Sequence, residues 1–196
     1  MKELNRREFL ALTGAAVVAL SLAGCDDGPY TPPAPPAPPA PTTSKETELL
    51  TAINKVWKEK FDEHKVTHEQ LTLNQDAVGL IRGYGRVFEM ANETPHNVTT
   101  DDAAIVMQER GECEPVMLKK YGVDCLAGIA GIVERSSENV ATLECVYSCE
   151  DAAVRDFVYK LLSHPDSSKA EYISFYFPVV KNVTYMTAIV FLNSKP

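Results

Sequence analysis

Two different periods of apolar residues divide the folded part of the chain. Between residues 49 and 61, leucine, isoleucine, valine and aromatic side chains recur every three or four positions, which predicts an amphipathic helix of about four turns. The same period predicts a second helix over residues 75–93. Gly79, Gly83 and Gly85 would weaken an exposed helix, so we expect them to allow close approach to a neighbouring element.

The second half of the chain is predicted to mix helices and strands. In order, we expect a short helix, a loop carrying two cysteines, a strand or close-packed loop, a short strand and an amphipathic helix at residues 101–110, 112–124, 126–133, 140–146 and 148–163. Residues 172–177 and 184–191 are rich in β-branched and aromatic side chains, which predicts two strands joined near Lys181 and Asn182. Helices followed by an antiparallel pair predict the α+β class, with helices packed over a sheet.

The first 24 residues have the layout of an export signal. Lys2, Arg6 and Arg7 give a charged start, and a modestly apolar run follows over residues 9–23. This run is short and rich in alanine and glycine, whereas a spanning helix needs roughly twenty strongly apolar residues. We therefore expect residues 1–24 to be cleaved. A retained N-terminal helix that ends in a chance cysteine is the alternative.

Two short motifs of this leader resemble known bacterial signals. Residues 5–10, Asn-Arg-Arg-Glu-Phe-Leu, resemble the twin-arginine export motif, and residues 22–25, Leu-Ala-Gly-Cys, resemble the lipobox. In lipobox proteins the cysteine is diacylated and the peptide is cleaved before it. The resemblance therefore implies that Cys25 is the first mature residue and that its acyl chains hold the protein on the periplasmic face or cell surface of a bacterial membrane.

A proline-rich stretch follows the anchor. Residues 25–44 include the run Pro-Pro-Ala-Pro-Pro-Ala-Pro-Pro-Ala-Pro, which favours a semi-rigid polyproline II stalk; a partner-binding segment is the alternative. Residues 45–196 have the size of one globular domain. The chain contains 27 acidic and 19 basic residues and has a net charge of −8, which argues against sequence-independent binding to nucleic acid.

Four cysteines remain once Cys25 is counted as lipidated: Cys113, Cys125, Cys145 and Cys149. An even number in an exported chain predicts two disulfides, with three pairings to choose from. We favour Cys113–Cys125 and Cys145–Cys149 because each pair closes a short loop. A four-thiolate metal site is the alternative, although the spacing matches no common zinc pattern.

A series of short motifs in the folded part resembles the CAP superfamily, the cysteine-rich secretory, antigen 5 and pathogenesis-related-1 proteins. Members begin with a helix like residues 49–61, pass through a link like Leu-Thr-Leu-Asn at residues 71–74, and reach a histidine after a second helix, here His96. A Glu-Asn-Val motif at residues 138–140 and a helix that leads to a second histidine, here His164, complete the series. The resemblance implies a three-layer α-β-α sandwich with a mainly antiparallel sheet.

The resemblance also implies a cleft formed by His96, Glu138 and His164. Two histidines and a carboxylate that converge can bind a divalent cation or position a water molecule. The chain departs from the family at Lys160, where a second glutamate is common, and a cation at that position would repel a metal ion. The family's glycine-rich strand after the second histidine is also absent from residues 173–176.

These features predict a membrane-anchored, non-enzymatic envelope lipoprotein whose CAP-like domain binds a lipid, a cell-wall fragment or a protein. One alternative is a metal-dependent hydrolase that uses the cleft of His96, Glu138 and His164, although no nucleophile with a supporting base is identifiable in the sequence. The other alternative is a purely structural assembly lipoprotein, in which the C-terminal hairpin packs on a partner and the histidines have no binding role.

Overall fold

The computed structural model describes residues 44–135 and 138–195. The predicted signal peptide, the lipidation site Cys25 and the proline-rich stretch before residue 44 lie outside this part. Four α-helices occur in the part described: α1 (Lys45–Asp62), α2 (Gly79–Ala91), α3 (Thr100–Tyr121) and α4 (Asp151–Leu161). None of the four helices in the described residues has the length and apolar character needed to cross a membrane.

Nine strands accompany the helices in the described residues. They are β1 (Thr72–Leu73), β2 (His96–Asn97), β3 (Leu126–Ala130), β4 (Ile132–Arg135), β5 (Val140–Leu143), β6 (Tyr172–Tyr176), β7 (Val179–Val180), β8 (Val183–Thr184) and β9 (Thr187–Phe191). Short 3-10 helices, Gln75–Ala77 and Pro165–Lys169, precede α2 and β6.

Four of the strands form the central sheet, in the order β1-β6-β9-β3. The β1–β6 pair is parallel, while β6–β9 and β9–β3 are antiparallel. Because side chains alternate across a strand, β9 contributes to both faces of this sheet. Ala188 and Val190 pack on one face, and Ile189 and Phe191 pack on the other.

Each face of the central sheet is covered by two helices. On the first face, α1 and α4 pack against β6 and β9 through buried side chains that include Leu49, Ile53, Trp57, Val154 and Phe157. On the second face, α2 and α3 do so through Leu80, Ile81, Met117 and Tyr121. The protein is therefore an α+β three-layer α-β-α sandwich with a mainly antiparallel sheet, and this prediction is confirmed.

Two smaller β structures complete the described part. One is a sheet with the order β2-β5-β4, and the other is the β7–β8 hairpin. Phe88 of α2 packs against Ala141 of β5 and Val180 of β7 in a small hydrophobic cluster. Lys181 and Asn182 form the hairpin turn with φ of 49° and 64°, as a two-residue turn between antiparallel strands requires. The predicted join between the last two strands is therefore confirmed.

A single helix, α3, replaces the short helix and the loop predicted over residues 101–110 and 112–124. Its buried positions and the partly buried Cys113 recur every three or four residues through the predicted loop: Val106, Glu109, Cys113, Met117 and Tyr121. The prediction was wrong because a glutamate and a cysteine interrupt the apolar stripe, and because Pro115 normally disfavours a helix interior. The carbonyl that Pro115 leaves without a donor belongs to Gly111, which is exposed, so water can bind it.

Two glycines of α2 allow the close packing of this helix on α3. A Cβ added to Gly83 would lie 2.9 Å from Val106 Cα, and one added to Gly79 would lie 2.7 Å from Cys113 Cβ. Real Cβ atoms do not approach neighbours so closely. The prediction that these glycines serve close approach is confirmed.

Glu109 of α3 is buried at the same interface and is held by two arginines of α2. Arg82 donates from Nε at 2.9 Å, and Arg86 donates from Nη1 at 2.7 Å. The hydrogen bond from Arg82, followed by that from Arg86, holds the pKa of Glu109 below its ordinary value despite the opposing effect of burial. The carboxylate therefore stays charged and clamps α2 to α3.

Neither predicted disulfide is present, because the four cysteines of the described residues are free. Cys113 lies within α3 rather than in a loop, and its thiol donates to the Asp76 carbonyl at 3.1 Å, while Cys125 is fully buried. Cys145 is buried in the core, whereas Cys149 is exposed and its thiol lies 3.6 Å from the Tyr147 hydroxyl. Burial raises the pKa of Cys145 to about 11, which keeps this thiol protonated and unreactive.

Candidate functional site

His96, the first predicted site residue, lies in β2 with both ring nitrogens engaged. Nδ1 is 2.8 Å from Glu93 Oε1, and Nε2 is 2.9 Å from Asp102 Oδ2. Two carboxylates can both accept from one imidazole only when both nitrogens carry a proton. The hydrogen bond with Glu93, and then that with Asp102, raises the pKa of His96 against the opposing effect of burial. His96 is therefore an ion-paired imidazolium.

Asp102 joins His96 to the start of α3. Its Oδ2 atom accepts hydrogen bonds from the backbone N–H and the hydroxyl of Thr99 at 2.8 and 2.7 Å. Thr99 in turn caps the helix by accepting from the Asp102 N–H at 3.2 Å, so the pair forms a capping box. Burial alone would raise the pKa of Asp102, but the hydrogen bonds from Thr99 and His96 lower it.

The other two predicted site residues have different surroundings. Glu138 lies at the turn between β4 and β5, where its side chain is 60% exposed and lies 3.9 Å from Arg135. His164 precedes the second 3-10 helix, and its Nε2 lies 3.2 Å from the Ile129 carbonyl of β3. None of the hydrogen bonds or ion pairs found in the described residues joins His96, Glu138 and His164 to one another. Nor do residues 44–135 and 138–195 contain any group of three histidine, cysteine or acidic residues placed to hold a metal.

A groove of about 470 Å³ lies between α1 and α4, and we call it the α1–α4 groove. Apolar side chains and three basic side chains line it: Val56, Val158, Tyr159, Leu162, Lys60, Lys65 and Arg155, together with Ser163. No acidic residue of the described chain is among them, although the protein carries a net charge of −8. Val56 and Val158 are almost fully buried at its base, whereas Tyr159 is 76% exposed.

The basic residues of the α1–α4 groove are ion-paired to different extents. Lys60 Nζ and Lys65 Nζ lie 3.0 and 2.9 Å from the same oxygen of Glu63, so two ammonium groups share one carboxylate. The hydrogen bonds from Lys65 and then Lys60 hold the pKa of Glu63 below its ordinary value. Arg155 donates to Glu59 of α1 and to Asp151 of α4, each at 2.6 Å. The lysine pair therefore carries one positive charge in excess, whereas Arg155 faces two carboxylates, so the three basic residues are matched by three acidic ones around the groove.

Sequence reasoning missed the α1–α4 groove, although part of its signal was present. Val56 and Lys60 are four residues apart on α1, and Arg155 and Tyr159 are four residues apart on α4, with Leu162 three residues further on at the C-cap. Each set therefore shares a helix face. The packing of α1 beside α4 is a tertiary feature, which no local pattern contains.

A second groove, of about 430 Å³, lies where α3 and β3 meet, and we call it the β3 groove. His164 lines it together with Tyr84, Arg110 and Glu134 and with apolar residues that include Met107 and Ile129. Tyr84 donates to Glu134 Oε2 at 2.8 Å, and burial followed by this hydrogen bond raises the pKa of Tyr84 to about 12. Of the three predicted site residues, His164 lines the β3 groove, and His96 and Glu138 line neither of these two grooves.

The two grooves differ in the chemistry that they offer. The α1–α4 groove combines an apolar base with three basic side chains, two of which share one carboxylate, and this combination suits an acidic group on an apolar chain. The β3 groove presents a mixed set of polar groups, and its Tyr84, Glu134 and His164 are already engaged with protein atoms. A comparison of the chain with protein-family models, with curated proteins and with solved structures finds no match.

Proposed function

We propose that the chain is a lipid-anchored envelope protein whose folded domain is a non-enzymatic binding module for an anionic amphiphile, a fatty acid or a lipid with an acidic headgroup. The observation that carries the proposal is the α1–α4 groove, in which Lys60, Lys65 and Arg155 surround an apolar base and no acidic residue of the described chain takes part in the lining. Cys25, as a lipidated residue, would keep this domain close to a source of such molecules.

The energetics of the α1–α4 groove favour a ligand of this type. An acyl chain laid over Val56, Val158 and Leu162 would gain about 0.8 kcal/mol for each methylene group removed from water. The volume of about 470 Å³ falls within the range of pockets that bind small molecules. An acidic headgroup would replace the carboxylate that Lys60 and Lys65 now share.

Binding is better supported than the hydrolase alternative. Both nitrogens of His96 face carboxylates, and Glu138 is exposed at a turn. A metal site of His96, Glu138 and His164 would require all three side chains to leave these positions. The three-layer sandwich also supports the proposed kinship with the CAP superfamily, because that architecture is what the resemblance implies.

The test is a fluorescence titration of the full chain carrying Cys25→Ser, which cannot be acylated, with 11-(dansylamino)undecanoic acid. We expect the dansyl emission to rise and shift to the blue, and oleate to displace the probe more effectively than oleyl alcohol. Lys65→Glu should weaken binding about tenfold, because it replaces attraction by repulsion at an exposed site. Lys119→Glu, at an exposed position on α3 in the opposite layer, is the matched control.

The control should leave affinity within about twofold of the unsubstituted chain, because long-range effects of exposed charges are screened by salt. Equal affinities for the Lys65→Glu and Lys119→Glu chains would contradict the proposed site. Failure of oleate to displace the probe would contradict the proposed ligand class.

A further inference from the structure

We propose that His96 is a protonation-controlled latch that holds the start of α3 and, through it, the wall of the β3 groove. The inference goes beyond the proposed function, because it concerns a different groove and needs no ligand in the α1–α4 groove. It rests on the position of one imidazole ring between three elements: the chain just after α2, β2 and the first turn of α3.

The latch is built from a ring with a carboxylate on each side. Glu93 faces Nδ1 from the segment that follows α2, and Asp102 faces Nε2 from α3. The ring is only 12% exposed and the Asp102 side chain only 16%, so water cannot easily replace the contact with Asp102, whereas the Glu93 side chain is 53% exposed. β5 is the strand paired with β2, and it presents Val140 and Ala141 opposite Asn97 and His96, neither of which titrates.

Loss of one proton from this ring breaks the arrangement. A neutral imidazole has one N–H and one lone pair, so one nitrogen would turn its lone pair towards a carboxylate oxygen less than 3 Å away. Either Glu93 or Asp102 must then withdraw. Withdrawal of Asp102 would also remove the acceptor that holds Thr99 at the N-terminus of α3.

The consequence reaches the β3 groove through the first turns of α3. Val106 lies one turn after Asp102 and packs against Gly83, and Met107 and Arg110 follow on the wall of the groove. A helix that loses its cap exposes the unpaired N–H groups of its first turn and frays from that end. Opening of the latch would therefore loosen one wall of the β3 groove while the central sheet stays intact.

The pH range of the latch follows from the directions of the pKa shifts. The pKa of His96 is raised by folding, so the stabilisation is complete below the unfolded value of about 6.5 and is lost as pH rises through the folded value. The pKa of Asp102 is lowered, so its stabilisation is present above about 3.9 and is lost as pH falls through the folded value. The latch is therefore closed at pH values between the folded pKa of Asp102 and the folded pKa of His96, and it opens as the pH rises above the latter.

The experiment follows His96 and α3 together in the full chain carrying Cys25→Ser. An NMR titration of the His96 ring gives its midpoint, which we expect to lie above about 6.5. Over the same pH range, the protection of the backbone amides of residues 103–107 against hydrogen exchange should fall about tenfold. This comparison is corrected for the intrinsic effect of pH on the exchange rate. The methyl signal of Met107 should move with the same midpoint.

His96→Gln supplies the matched variant, because a glutamine can donate to one carboxylate but does not titrate. In this variant the protection of residues 103–107 should be lower at pH 6 and independent of pH, while His164→Gln should behave like the unsubstituted chain. Constant protection across the His96 titration would overturn the latch. A pH-dependent fall of the same size in the protection of residues 103–107 in the His96→Gln chain would also overturn it. If that chain does not fold, the coincidence of midpoints in the unsubstituted chain decides the question.

Discussion

Gly131→Ala is expected to lower the free energy of unfolding by about 3 kcal/mol. Gly131 joins β3 to β4 with φ of +87°, a left-handed conformation that an alanine adopts only with strain. An added Cβ would also collide with the carbonyl oxygen of Met186. Because that atom belongs to the backbone beside β9, relief would require β9 and β3 to move apart.

Equilibrium unfolding in urea, followed by the fluorescence of Trp57, checks this result. Trp57 is the single tryptophan of the chain and is fully buried, so its emission should respond to global unfolding. Gly111→Ala is the control, since a Cβ at Gly111 on α3 has no neighbour within 4 Å and alanine favours a helix. A Gly131→Ala chain as stable as the Gly111→Ala chain would contradict the described path from β3 to β4.

Trp57→Ala is expected to have the largest effect of all, a loss of about 3–5 kcal/mol. The indole is fully buried between α1, α4 and the central sheet, and its removal leaves a cavity that the surrounding strands cannot easily fill. The substitution also removes a hydrogen bond of 3.0 Å from the indole N–H to the His68 carbonyl. This bond ties α1 to the segment that leads to β1.

Circular dichroism during urea unfolding measures the effect, because the substituted chain contains no tryptophan. Trp57→Phe separates the two contributions, since it keeps most of the apolar volume and removes the N–H donor. We expect Trp57→Phe to cost about 1–2 kcal/mol, well below the cost of Trp57→Ala. Similar small losses in both variants would show that α1 does not pack on the sheet as described.

Regular apolar periods allowed a good prediction of the outer elements of the fold. α1 and α4 have uninterrupted apolar stripes, and β6 and β9 are rich in β-branched and aromatic residues. These are local properties, and they were enough for the α+β class. The three layers followed from the resemblance to the CAP superfamily.

The central part of the chain was harder to predict because its signals depend on tertiary partners. Glu109 occupies a buried position of α3 and is tolerated there because Arg82 and Arg86 of α2 bind it. A single sequence gives no indication of that pairing, so the buried stripe of α3 was interrupted at this residue. The free cysteines are a similar case, since Cys145 faces the core and Cys149 faces solvent although their spacing suits a short loop.

The candidate site shows the same limit. The order of His96, Glu138 and His164 along the chain suggested a shared cleft, but the capping box at Thr99 and Asp102 engages His96 with a neighbour only six residues away. The α1–α4 groove arises where two helices that are distant in sequence pack side by side. The sequence shows each of its basic residues, but it does not show that they converge on one groove.

The most direct test of the proposed binding function uses a spin-labelled fatty acid and NMR of the full chain carrying Cys25→Ser. The unpaired electron of 16-doxyl-stearate broadens the signals of nearby residues, so it reports where the acyl chain lies. The account predicts broadening centred on Val56, Val158 and Leu162 of the α1–α4 groove, reversed by excess oleate. Broadening centred on Met107 and Ile129 of the β3 groove, or none that oleate reverses, would contradict it.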